Sequence, residues 1–171
     1  GPFDSLRLKL ANTEYTHTEF EGDAVGTVFD NDSTEARVEL VHQAWAGWKG
    51  AFGLQWGARD FLAIGEEAFV PASRSRDAGL FWIGERSFSD AFKLELGARH
   101  DRNRIDVDDA GAAVTGQAGP DRDFDTTSAS AALKWEASDA LHFTFGLDRA
   151  QRSPTSEELY SNGLHVATAS I

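Results

Sequence analysis

The residues able to do chemistry in this chain are carboxylates and histidines. There are 28 Asp plus Glu, 5 His and no Cys, which excludes cysteine nucleophiles, disulfides and thiolate zinc sites. Glu66 and Glu67 are adjacent in a polar stretch. Paired carboxylates divide acid and base roles only when they converge, and neighbours in sequence point apart. His17, His42, His100, His142 and His165 are scattered, with no His-x3-His pair of the kind that preforms a metal site. Asp106-Val107-Asp108-Asp109-Ala110-Gly111 imitates the opening of a calcium loop, yet Ala110 offers no oxygen and Gln117 stands where a bidentate Glu is needed. Asp121, Asp123 and Asp125 alternate without the following Gly. Gly-x-Ser-x-Gly, phosphate-loop and His-Glu-x-x-His patterns do not occur. The expectation is a protein that is not an enzyme and holds no cofactor. Its candidate ligand contacts are Glu66, Glu67 and His165, and its candidate metal ligands are His165, Asp106 and Asp108.

Charge narrows the partners. With 16 Lys plus Arg the formal net charge is −12. A nucleic-acid binder needs clustered cations for phosphate contacts, so that class is disfavoured. No stretch approaches the ~18 apolar residues of a membrane helix. The mean hydropathy of −0.39 reads as soluble, but that measure is nearly blind to membrane strands, whose signal per segment is weak.

The elements that must position these residues have a period of two. Trp48, Phe52, Leu54, Trp56 and Ala58 alternate with Lys49, Ala51, Gly53, Gln55, Gly57 and Arg59. The same pattern runs through Leu6 to Leu10, Ala36 to Leu40, Phe92 to Ala98, Ala129 to Trp135 and Leu141 to Leu147. One face of each segment is apolar and the other small or polar, as a strand between two environments requires. Leu80-Phe81-Trp82-Ile83 is apolar on both faces and has no readable register. About seven strands result, at roughly 5–19, 34–46, 48–62, 77–88, 90–101, 126–137 and 139–152. Tight turns fall at Ala46-Gly47, Ser89-Asp90 and Ser138-Asp139, and long polar stretches at 20–33, 63–77, 102–125 and 153–165. Those four stretches carry 15 of the acids and 5 of the bases.

Strand, tight turn, strand, long loop, repeated, predicts an all-β antiparallel up-and-down sheet with its long loops at one end. An outer-membrane barrel sorts its connections this way. Trp45, Trp48, Phe88, Phe92 and Trp135 beside the tight turns suit a membrane interface, and Phe52, Leu54, Trp56, Phe143 and Phe145 would face lipid. The other face carries Gly53, Gly57, Gly97 and Gly146. They leave room for a folded domain inside a barrel, or they mark strong curvature. The alternative is a soluble β-barrel or curved-sheet module whose acidic loops bind a ligand or partner.

The most distinctive loop is 152–163. Pro154 removes a ladder donor and stops a strand. Thr155-x-x-Glu158 fits a capping box that starts a helical turn, and Asn162-Gly163 can end it. Arg152-x-Pro154-x-x-x-Glu158-Leu159-Tyr160 after an apolar strand resembles the loop of TonB-dependent outer-membrane receptors. The extension Asn162-Gly163-Leu164-His165-Val166-Ala167-Thr168 is similar to the zinc-receptor-like branch of that family. So are Gly65 to Pro71 after Arg59-Asp60-Phe61, and Leu96-Gly97-Ala98-Arg99. The resemblance implies a segment of a transmembrane β-barrel in a Gram-negative outer membrane. It implies energy-coupled uptake of a scarce ligand, a metal ion or metal chelate among the candidates. Its partners would be lipid, a plug domain and an inner-membrane coupling complex.

Within this reading Gly1-Pro2 is a tag remnant, and 3–171 is a partial barrel domain without plug or C-terminal strands. Such a piece has two unpaired edges and a greasy face, so it should self-associate or close into a small barrel, with the inward face undetermined.

Overall fold

A computed structural model of the chain describes residues 1–65, 68–108 and 116–161. Seven strands form one sheet in sequence order, every neighbouring pair antiparallel. They are β1 (Phe3–Glu21), β2 (Ala24–Trp45), β3 (Trp48–Gly65), β4 (Ser73–Ser87), β5 (Phe92–Val107), β6 (Arg122–Ser138) and β7 (Leu141–Arg149). A single helical turn, α1 (Ser156–Tyr160), follows. The sheet keeps two free edges, β1 and β7, so it does not close into the small barrel considered above.

The register is unbroken through the body of the sheet and shifts only beside turns and strand ends, as between His42 and Trp45 and between Glu136 and Ser138. At Ala46-Gly47 both central residues take positive φ, 49° and 82°, the combination a two-residue hairpin turn needs to match strand twist.

The stretch 20–33, expected as a long loop, is instead the tip of a hairpin. β1 and β2 run on to a two-residue turn at Gly22-Asp23. Here Thr13↔Ser33, Glu14↔Asp32 and Thr16↔Asp30 pair across the ladder. Polar residues mix with Phe20 and Val28 on one face and with Phe29 on the other, so the clean apolar alternation that reveals a strand is absent. For the same reason β4, β5 and β6 extend into 63–77 and 102–125. Among the described residues, what remains outside strands at this end is 68–72, 108, 116–121 and 150–161, the last including the helical turn. The longer connections still lie at one end of the sheet, with 46–47, 88–91 and 139–140 at the other.

The pairing sorts the two faces. Leu8, Val38, Leu54, Leu80 and His100 share one row of the outer face, and Leu96, Ala131 and Leu147 another. This face is open: Leu8 is 62% exposed, Leu54 58% and Leu147 78%. Near the tight turns it carries an aromatic border. Phe92, Trp135, Phe143 and Phe145 stack with centroids 6.0, 5.2 and 6.2 Å apart, and Trp48 meets Trp82 edge-on at 5.7 Å. The register of 80–83 is now fixed. Leu80 and Trp82 point outward, and Phe81 turns inward over Gly53, under Arg37 at 4.4 Å and Arg99 at 5.8 Å.

The inner face is polar and concave. Many of its buried residues lie toward the long-loop end, among them Thr27, Ala63, Ala68, Val70, Pro71, Ala72, Ser73, Ile105 and Ser156, while Ala51 and Phe81 are buried nearer the tight turns. Residues 68–72 are therefore tucked in rather than solvated. The inner glycines serve the sheet itself. A Cβ at Gly53 would fall 2.0 Å from the Phe81 ring, and one at Gly57 would fall 2.4 Å from Asp77. Only open space faces Gly146.

Candidate functional site

The motif segment after β7 builds a self-contained knot. Pro154 follows the end of β7, and the chain enters α1 through Thr155, whose side chain accepts from the Glu158 N–H at 3.3 Å. The Glu158 carboxylate returns the bond to the Thr155 N–H at 2.9 Å, completing the capping box. The same carboxylate takes both Arg152 prongs, at 2.6 and 2.5 Å. Those arginine bonds, and then the Thr155 N–H, hold the Glu158 carboxyl down to about 2. Arg152, Pro154, Glu158, Leu159 and Tyr160 thus act as one unit, whereas Asn162 and Gly163 lie outside the described residues.

The knot lands on the inner face. Glu157, half-buried, takes Arg59 Nη2 of β3 at 2.7 Å. Arg59 also donates Nε to Asn31 of β2 and lies 4.9 Å over the Phe61 ring. Burial pushes the Glu157 carboxyl up, but the Arg59 bond and the backbone donors outweigh it and leave it below its ordinary value. At the other end of α1 the Tyr160 hydroxyl donates to the Pro120 carbonyl at 2.7 Å, and its ring covers Gly119. Burial raises its pKa. The segment is therefore a strap. It leaves β7, crosses the concavity at its long-loop end, and fastens to β3 and to the β5–β6 connection. Sequence reasoning found the knot and missed both fastenings, because Arg59, Asn31 and Pro120 carry no local sign of a partner about 100 or 40 residues away.

Below the strap a trough of about 1010 Å3 is lined by residues from all seven strands, among them Arg7, Glu39, Lys49, Glu85, Glu95 and Asp148. Its wall alternates in sign: Arg7–Glu39 at 2.9 Å, Arg37–Glu39 at 3.2 Å, Lys93–Glu85 at 3.5 Å and Lys134–Glu95 at 2.5 Å. Such a wall suits water and polar groups.

The metal candidates do not assemble. Asp106 is engaged by Arg76 at 3.0 Å and Arg104 at 2.5 Å, an arrangement that neutralises it. Asp108 begins the β5–β6 connection, its N–H on the Ala72 carbonyl at 2.9 Å. Glu66, Glu67 and His165 lie outside the described residues. Among the described residues no three His, Asp or Glu side chains gather to hold a metal ion. His42 accepts from Trp82 Nε1 at 3.4 Å, and His100 lies 3.0 Å from Thr127 Oγ1.

A curved antiparallel up-and-down sheet, apolar outside, charged inside and strapped across one end, defines a segment of a barrel wall. The family model described as TonB dependent receptor-like, beta-barrel matches residues 3–171. The chain belongs to that family, whose members are outer-membrane receptors acting in transport rather than enzymes.

Proposed function

We propose that the chain is part of the wall of an energy-coupled uptake receptor in a Gram-negative outer membrane, its apolar face on lipid and its charged trough toward the passage. The observation that carries this is the outer band. From Trp48 to Ala58 the outward side chains of β3 are apolar or glycine. Ten residue steps of about 3.3 Å span ~33 Å, which a strand tilt of about 40° reduces to roughly the 25 Å of an outer-membrane apolar band. A soluble binding module would bury this face instead. Residues 3–171 form barrel wall in this reading, working with a plug domain and a coupling complex. Edges β1 and β7 would make the isolated piece self-associate.

The imported ligand is proposed as a metal ion or chelate, of the zinc-receptor-like type to which 162–168 is similar, with Glu66, Glu67 and His165 as its candidate loop contacts. Growth of a strain lacking the parent gene tests this. Slow growth at limiting metal, relieved by excess metal or by the restored gene, supports it. Growth equal to the parent strain at every metal concentration overturns the metal assignment, and uptake that persists without the coupling complex overturns the receptor reading.

A further inference from the structure

We infer that two copies of this chain join edge to edge through β7, antiparallel and two-fold, with Phe145 opposite Phe145 of the second copy at the centre. The inference sharpens the self-association proposed above and rests on that reading only for the open edge.

Topology limits how copies can meet. Every neighbouring pair of strands is antiparallel, so the edges β1 and β7 of this seven-stranded sheet run the same way. Joining β1 of one copy to β7 of another would be a parallel contact, and it would leave an edge open for the next copy. Pairing an edge with its own counterpart is antiparallel and closes on two copies. With the two-fold axis normal to the sheet, both apolar faces stay on one side and the curve continues from one copy into the other.

Side chains select the edge. On β7 the register centred on Phe145 uses the whole strand, Leu141–Arg149. It sets Phe143 opposite Leu147 on the apolar face. On the polar face it sets His142 opposite Asp148, a ring N–H against a carboxylate, and Thr144 opposite Gly146. No charge meets its like. The apolar side chains to be joined are open, Phe145 at 58% and Leu147 at 78% exposure, and a Cβ at Gly146 would meet nothing within 4 Å. The β1 edge fails on the same grounds. Its apolar stretch on that face is Leu6, Leu8 and Leu10. Setting at least two of these leucines opposite leucines needs a register centred on Arg7, Leu8 or Lys9. Those registers place Arg7 opposite Arg7, Arg7 opposite Lys9, or Lys9 opposite Lys9, and like charges directly opposite repel. Basic side chains are also a common guard on an edge strand; β7 has no Lys, and its Arg149 stands at the very end.

The chain has no Cys, so an introduced thiol reports its own contacts. The test folds single-cysteine variants into detergent micelles and treats them with a short bis-maleimide. Phe145→Cys should give on the order of tenfold more covalent dimer than Leu8→Cys, because directly opposite Cβ atoms lie only about 5 Å apart. Leu141→Cys and Arg149→Cys should each stay unlinked alone, since like positions then fall at opposite ends of the paired strands, about 27 Å apart. Mixed together, they should link. Phe143→Cys mixed with Leu147→Cys reads the same register with the central ring intact. The double variant Thr144→Lys, Gly146→Lys sets lysines opposite one another and should be monomeric by light scattering where the unaltered chain is dimeric. Linking at Leu8→Cys in place of Phe145→Cys overturns the inference. So does linking of Thr144→Cys with itself, which marks a register centred one residue away, and so does an unaltered chain that is monomeric. Insertion into neutral vesicles is scored separately: its failure sinks the lipid-facing reading and leaves the cross-links to decide this one.

Discussion

Arg152 and Glu158 face each other through two parallel bonds, Nη1 to Oε2 at 2.6 Å and Nη2 to Oε1 at 2.5 Å, closing the loop around Pro154. The carboxyl is held at about 2. A depressed carboxyl pKa stabilises the folded form above the unfolded value, ~4.3, and that support is lost as pH falls through the folded value. The knot should therefore persist to about pH 3. In Arg152→Gln the Glu158 titration, followed by carboxyl NMR in detergent, should move from about 2 to between roughly 3 and 4, because the capping bond from Thr155 remains. An unmoved midpoint would show that the pair does not form in solution.

The fastening of Glu157 to Arg59 joins residues on opposite sides of the concavity. Both side chains are about one-third exposed, at 39% and 33%, so the pair is partly screened and worth on the order of 1 kcal/mol. Arg59→Ala should raise protease cleavage within 150–161 by roughly fivefold, the open population that such a loss implies. The exchange Arg59→Glu with Glu157→Arg should recover part of the protection, limited by an unfavourable cation in the first helical turn. Equal cleavage in the wild type and in Arg59→Ala would mean that the strap is held elsewhere.

The strands were legible wherever one face was apolar. Leu94 to Ala98 and Phe143 to Leu147 announce themselves because their two faces meet different surroundings. The alternation fails between Phe20 and Ser33, where apolar and polar residues mix on both faces, so the end of a hairpin reads as a loop. The capping box was legible because its partners sit three residues apart. The fastenings were not, since nothing local to Arg59 or Pro120 encodes a strap arriving from beyond β7. Gly53 reads as spare room in the sequence and proves to be the floor under Phe81.

That floor gives a packing test. A Cβ at Gly53 would sit 2.0 Å from the Phe81 ring, whereas one at Gly146 meets nothing within 4 Å. Gly53→Ala should therefore destabilise the fold by about 1–3 kcal/mol, the usual cost of overpacking. Gly146→Ala should be near neutral. Phe81→Ala empties the same place, so the double variant Gly53→Ala, Phe81→Ala should cost clearly less than the two single changes added. Urea unfolding in detergent reads all four. Additive costs would separate Gly53 from Phe81.

The assignment of faces rests on register, and a one-residue step reverses it. Ala131 and Ala132 are neighbours on β6. Ala131 lies between Leu96 and Leu147 on the outer face, and Ala132 lies between Glu95 and Gly146 in the trough. If the outer face meets hydrocarbon, Ala131→Arg places a cation in the apolar band at a cost of about 2–4 kcal/mol. Ala132→Arg gains a carboxylate neighbour in Glu95 and open space at Gly146, so its cost should be within about 0.5 kcal/mol of zero. Reversible unfolding from neutral vesicles measures the difference. Equal costs would mean that the two faces see the same surroundings, and the outer band would then not be lipid-facing.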